Sequence, residues 1–148
     1  MEGRALIPFN KCKSDIPLIT FSLKEGGETY NAIIDSGSEL TLFDGSLIRS
    51  NENCFSRIPS GDEYNVVGLS DNKKIHVSEL STKLLLISND NTKETIMVTG
   101  IETDLSDLSR AFADAHGKDY KPVVIIGSNE LRRLGARIDY VKNVIQFE

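Results

Sequence analysis

Asp35 stands apart from the other ionisable residues because it follows Ala32-Ile33-Ile34 directly and precedes Ser36-Gly37-Ser38. A carboxylate at the end of an apolar β-branched run is costly to take out of water unless hydrogen bonds or a shared proton compensate it. Such a placement points to acid-base chemistry. Asp35-Ser36-Gly37 is also an ordinary turn sequence, since each residue favours turns for its own physical reason, so the tripeptide alone decides nothing. A serine hydrolase is not supported, because Ser36 lacks a Gly-x-Ser-x-Gly setting and neither His76 nor His116 lies in a motif. His76, His116, Cys12 and Cys54 have no metal-ligand spacing, so no metal site is expected. Both cysteines read as reduced thiols.

A second apolar run, Val123-Val124-Ile125-Ile126, also ends in a glycine, Gly127. The pattern from Ser128 to Leu134 predicts a short helix, with Ser128 as its N-cap and Gly135 as its stop. Apolar-apolar-Asp-Ser-Gly-Ser early and apolar-Ile-Ile-Gly plus a helix late resemble the two halves of a retropepsin-like aspartic protease domain. The similarity is to the domains of retroelements and of eukaryotic DNA-damage-inducible shuttle proteins, and it runs from about residue 16 to the end.

The resemblance implies that the second run threads beside the Asp35 loop, with Gly127 letting the two backbones approach closely. It also implies an aspartic endopeptidase in which two Asp35 carboxylates, one from each copy of a homodimer, activate a water nucleophile. No cofactor is needed. Ser36 takes the family's grip role, bonding across the two-fold axis to the opposite loop, and Gly37 allows the tight turn beside the substrate. Ser38 is expected to donate to the outer carboxylate oxygen. A flap from Val66 to Ile75 is expected to close over a peptide or protein substrate, with Val67, Gly68, Leu69 and Ser70 at its tip. Two rivals stand beside this reading: a catalytically inactive retropepsin-like dimerisation or peptide-binding module, and an unrelated β-barrel binding protein.

Composition agrees with one domain. At 148 residues, 39% of them hydrophobic, the chain suits a single core and is too short for a two-lobed enzyme carrying two such loops. With one Asp-Ser-Gly in the chain, the second carboxylate that the resemblance implies must come from another copy. The net charge is −5 and the 17 basic residues are scattered, which argues against nucleic acid as a partner. No apolar run approaches a signal peptide or a membrane span, so a cytoplasmic protein without a membrane partner is expected.

The positioning elements follow from periodicity. Residues 1–15 read as an arm ordered by docking, and 16–148 as the single protease domain. Pro17 to Leu23 and Thr29 to Ile34 alternate as a hairpin across Lys24-Glu25-Gly26-Gly27-Glu28, and the second strand delivers Asp35. Glu39 to Phe43 predicts a strand, and 44–62 predicts irregular structure. Tyr64 to Leu69 and Lys74 to Val77 flank the flap tip. His76 to Ile87 predicts a long strand with a bulge between Val77 and Leu80, returning after Asn89-Asp90-Asn91-Thr92 as Glu94 to Ile101. Leu105, Leu108, Phe112 and Ala115 recur at helical spacing, which predicts a helix over Asp104 to His116. This helix is absent from the minimal retroviral domain and reads as an insertion covering the sheet. Ala136 to Tyr140 and Asn143 to Phe147 predict a terminal hairpin, and the resemblance implies that such strands interleave between two copies. The fold expected is mainly β, a closed barrel-like retropepsin fold with one inserted helix and a short C-terminal helix.

Overall fold

Alternating apolar residues close a barrel. The computed structural model describes residues 5–11, 16–58, 63–65, 74–76, 79–88, 93–116 and 120–148. Strands β1 (Ile7–Pro8) and β2 (Asn10–Lys11) precede the hairpin of β3 (Pro17–Ser22) and β4 (Thr29–Ile34). Next come β5 (Leu42–Asp44), α1 (Gly45–Ser50), a 3₁₀ turn (Glu52–Cys54), β6 (Phe55–Ile58), β7 (Glu63–Asn65) and β8 (Lys74–His76). The long pair β9 (Glu79–Ile87) and β10 (Lys93–Thr103) leads to α2 (Ser106–His116), β11 (Pro122–Ile126) and α3 (Ser128–Arg133). The chain ends with β12 (Arg137–Asp139) and β13 (Val144–Gln146).

Six strands form the ring in the order β3, β4, β11, β5, β10, β9, and the pairs Phe21 with Leu86 and Ser22 with Leu85 close it. The inward faces supply one core cluster: Ile19, Phe21, Ala32, Ile34, Phe43, Leu84, Val98, Val124 and Ile126 among others. Every second residue of β9 from Leu80 to Leu86 is buried, as the period of a strand requires. The outward residues Leu18, Ile33 and Ile125 gather under α2, where Phe112 and Leu108 pack on them. The inserted helix therefore covers the sheet, held at its start by the Ser106 N–H donating to Asp104 Oδ1 at 2.9 Å. Burying a phenyl group such as Phe112 contributes about 1.5–3 kcal/mol.

Three sequence expectations are corrected. Residues 44–62 are not irregular throughout, since α1, the 3₁₀ turn and β6 lie there. Asp44 causes this: its carboxylate caps α1 by accepting from the Ser46 N–H at 3.3 Å and takes the Leu105 N–H at 2.7 Å, while Leu47 and Ile48 bury in the core. A helix with only two core residues has no periodic signature. Ser128 is not the N-cap of α3. Gly127 holds that position and, having no side chain, makes no capping bond; the Ser128 N–H goes to the Ser38 carbonyl instead.

Gly135 does stop α3, at φ +61°, with its N–H on the Arg132 carbonyl and the Ala136 N–H on that of Leu131. The strand before the Asp44 stop begins at Leu42, and 39–41 belong to the loop that precedes it. Within one chain β13 lies between β1 and β12, with Ile145 and Phe147 in the core. Residues of the N-terminal arm take part as well, Ile7 pairing with Ile145 and Phe9 burying. Tyr64 pairs with Ile75 across β7 and β8, but the expected flap tip, including Val67, Gly68, Leu69 and Ser70, lies outside the described residues, as does the expected bulge at 77–78.

Candidate active site

β4 carries the chain to Asp35 along a parallel pairing with β11, in which Ile33 faces Ile125 and Ile34 faces Ile126. The pairing runs one residue further, since the Asp35 N–H donates to the Ile126 carbonyl at 3.0 Å. On its other side β11 pairs antiparallel with β5, Val124 facing Phe43 and Ile125 facing Leu42. The segments before and after the loop thus flank one central strand. This is the threading that the resemblance implied.

The loop is fixed from within and from behind. Asp35 Oδ1 accepts the Gly37 N–H at 2.9 Å, and the Asp35 carbonyl accepts the Ser38 N–H at 3.1 Å. This is a side-chain-closed turn of the kind Asp favours. Asp35 is half-buried while Ser36 and Gly37 are exposed, and among the described residues no other hydrogen bond reaches the Asp35 carboxylate. The Ser38 hydroxyl does not donate to it; it goes to the Leu40 carbonyl at 2.8 Å. From behind, the Ser128 N–H donates to the Ser38 carbonyl at 2.6 Å and the Asn129 N–H to that of Glu39 at 3.2 Å.

Three residues at this site were not singled out from the sequence. Thr41 is fully buried; its Oγ1 accepts the Gly127 N–H at 3.0 Å and donates to Asn129 Oδ1 at 3.2 Å. The side chain ties the end of the loop to the start of α3, and only the placing of a hydroxyl inside the apolar run Leu40-Thr41-Leu42-Phe43 hinted at it. Glu130 is 4% exposed and receives the Thr99 N–H at 2.6 Å on Oε1. Arg133 binds the same carboxylate through Nε and Nη2, both at 2.8 Å, and that bonding raises the guanidinium pKa above its ordinary range.

A cleft of about 1170 Å³ lies elsewhere. Tyr30, Asp44, Arg49, Arg57, Arg110 and Lys121 line it, which places it near the first residues of β4 and β11, whereas Asp35 follows the last residue of β4. A smaller cleft of about 370 Å³ sits behind the loop, against Leu40, Thr41, Asn129 and Glu130. Neither is lined by Asp35, Ser36 or Gly37. Among the described residues no three His, Cys, Asp or Glu side chains converge as a metal site, and no helix is long and apolar enough to cross a membrane.

Comparison with solved structures gives the fold. A retropepsin-like aspartic protease from Rickettsia conorii superposes with a TM-score of 0.50 at 13% identity, over 98% of this chain and 90% of that one. The retroviral protease-like domain of Ddi1 from Leishmania major matches with a TM-score of 0.45 at 14% identity, over 88% and 92% of the two chains. No protein-family model matches the sequence, and no curated protein matches it either. The chain has a retropepsin-like fold.

Proposed function

We propose that the protein is an aspartic endopeptidase whose active site is completed by a second copy of the chain. The observation that carries this reading is the seating of Asp35: a half-buried side chain that closes its own turn on the Gly37 N–H, with the Asp35 N–H on the Ile126 carbonyl. A two-fold axis in front of the loop would bring identical Asp35 side chains together, because symmetry pairs each residue with its own copy.

Two carboxylates in contact share a proton, since both cannot ionise at once. The ionised Asp35 takes a proton from a water held between the pair, and the water oxygen attacks the scissile carbonyl carbon. The protonated Asp35 of the other copy donates to the carbonyl oxygen and stabilises the tetrahedral intermediate. Transfer of a proton to the amide nitrogen then releases the amine as the C–N bond breaks. Ser36, exposed and next to the carboxylate, grips the opposite loop. Gly37 and Ser38 border the bound backbone. An extended peptide with bulky apolar side chains beside the cut suits a β-lined groove.

The protein is assigned to the cytosol, where a free thiol such as that of Cys54 persists. The decisive experiment is incubation of an unfolded protein mixture with the wild type and with Asp35→Asn, mapping new termini. Cuts made by the wild type and absent with the variant support the reading. Wild-type binding without any cut transfers it to the inactive peptide-binding module.

A further inference from the structure

Glu130 is an unusual residue to bury on a six-residue helix whose neighbouring Leu131 packs into the core. Its location explains the choice. β10 pairs with β5 only from Ile101 to Thr103, and the Ile101 N–H on the Thr41 carbonyl, 3.0 Å, is the last bond on that side. Before it the chain of β5 has left β10 to form the Asp35 loop. Strand alternation directs Thr99 and Met97 toward the same vacated side. There the Thr99 N–H meets Glu130 Oε1, and the Met97 carbonyl accepts from Arg133 Nη2. The ion pair on α3 therefore continues, with side-chain atoms, the ladder that the departing loop gives up.

The same helix turn holds the loop. Ser128 and Asn129 donate to the Ser38 and Glu39 carbonyls, and Asn129 Oδ1 accepts from Thr41. We infer that Glu130 is a positioning residue for Asp35: it locks the first turn of α3 to β10, and that turn sets where the loop stands. The inference rests on the aspartic protease reading above. An apolar residue of similar volume would fill the space without the desolvation cost of a carboxylate. It would leave the Thr99 N–H without an acceptor and would not fix the direction of the helix, whereas two oxygens meeting one N–H and a guanidinium fork do both.

The test compares Glu130→Gln and Glu130→Met with the wild type, each held at a concentration where all are equally dimeric, with folding followed by circular dichroism. Glu130→Gln keeps an acceptor for Thr99 but loses the charged fork, and kcat should fall roughly 3- to 10-fold; Glu130→Met should lose about 30- to 100-fold, the scale of a sub-ångström to 1 Å misplacement. KM should stay within about two-fold in both, because the loss is one of alignment and not of substrate binding. A second readout needs no activity: amide exchange at Asp35, Ser128 and Asn129 should speed up about ten-fold or more while the β3–β4 amides stay protected. A folded Glu130→Met with wild-type kcat, or a kcat loss matching the loss of folded or dimeric protein, overturns the inference. If Glu130→Met does not fold, Glu130→Gln decides by the same two criteria. A wild type that cleaves nothing sinks the protease reading, and the exchange measurement still decides whether Glu130 holds the loop.

Discussion

A Cβ atom on Gly127 would stand 2.3 Å from the carbonyl oxygen of Leu40. Ser38 closes the same space from the other side, its carbonyl oxygen 2.7 Å from that position. Backbone and not a flexible side chain blocks the site, so nothing can swing aside. Gly127→Ala should cost about 1–3 kcal/mol or more, the range for forced overpacking, and should displace the Asp35 loop. Chemical denaturation with activity measured on the folded fraction checks this. A stable variant of wild-type activity would show that the close approach is dispensable.

Cleavage should depend on pH with a definite sign. The pair needs one shared proton, so the rate should fall as pH rises above the pair's upper macroscopic value and the last proton leaves. An acidic to mildly acidic optimum is expected. Initial rates on one peptide across the pH range give the profile, and a rate that climbs steadily into alkaline solution contradicts a carboxylate pair.

Asp139 gives a separate pH effect, on stability. The Lys142 N–H at 3.0 Å and the Val141 N–H at 2.9 Å bind its carboxylate and hold its pKa below the ordinary 3.8. A depressed folded value means that the contribution is present above the unfolded pKa and is lost as pH falls through the folded one. Asp139→Ala should therefore be less stable than the wild type at pH about 7, and the difference should vanish in acid below the folded pKa. A stability difference independent of pH would assign the effect to packing instead.

The two-copy site predicts dominance by dead subunits. Mixing the wild type with a three-fold excess of Asp35→Asn should leave only a minor fraction of active pairs, and specific activity of the wild type should fall on dilution through the dimer midpoint. Removal of the terminal strand does not test this, because Ile145 and Phe147 belong to the core of their own chain. Full activity per chain in a species that sediments as a monomer would refute the shared site.

The sequence showed most plainly the elements whose burial repeats. β9 and β10 were legible because their burial alternates over a long stretch, β3 and β4 because short apolar runs flank a Gly-Gly turn, although both bury nearly every residue, and α2 because its apolar residues keep helical spacing. The Asp35 turn was legible from local chemistry. The rest depends on contacts between distant residues. Thr41 and Asn129 are far apart in sequence, and neither residue type announces a partner. Ser38 offered its hydroxyl equally to a carboxylate or a carbonyl, and only the fold decided for Leu40. α1 was hidden because Asp44 reads as a turn residue until its second acceptor, the Leu105 N–H, is known.

Backbone groups of Ile126, Gly127, Ser128 and Asn129, far along the chain from Asp35, tie the Asp35 loop from behind. Such distant pairings form late, because a long stretch of chain must be ordered before they hold. During synthesis the N-terminal part emerges first, so Asp35 is exposed well before Ile126 exists to receive its N–H. The seat of Asp35 is thus completed only once residues 126–129 have been made, a delay written into the topology.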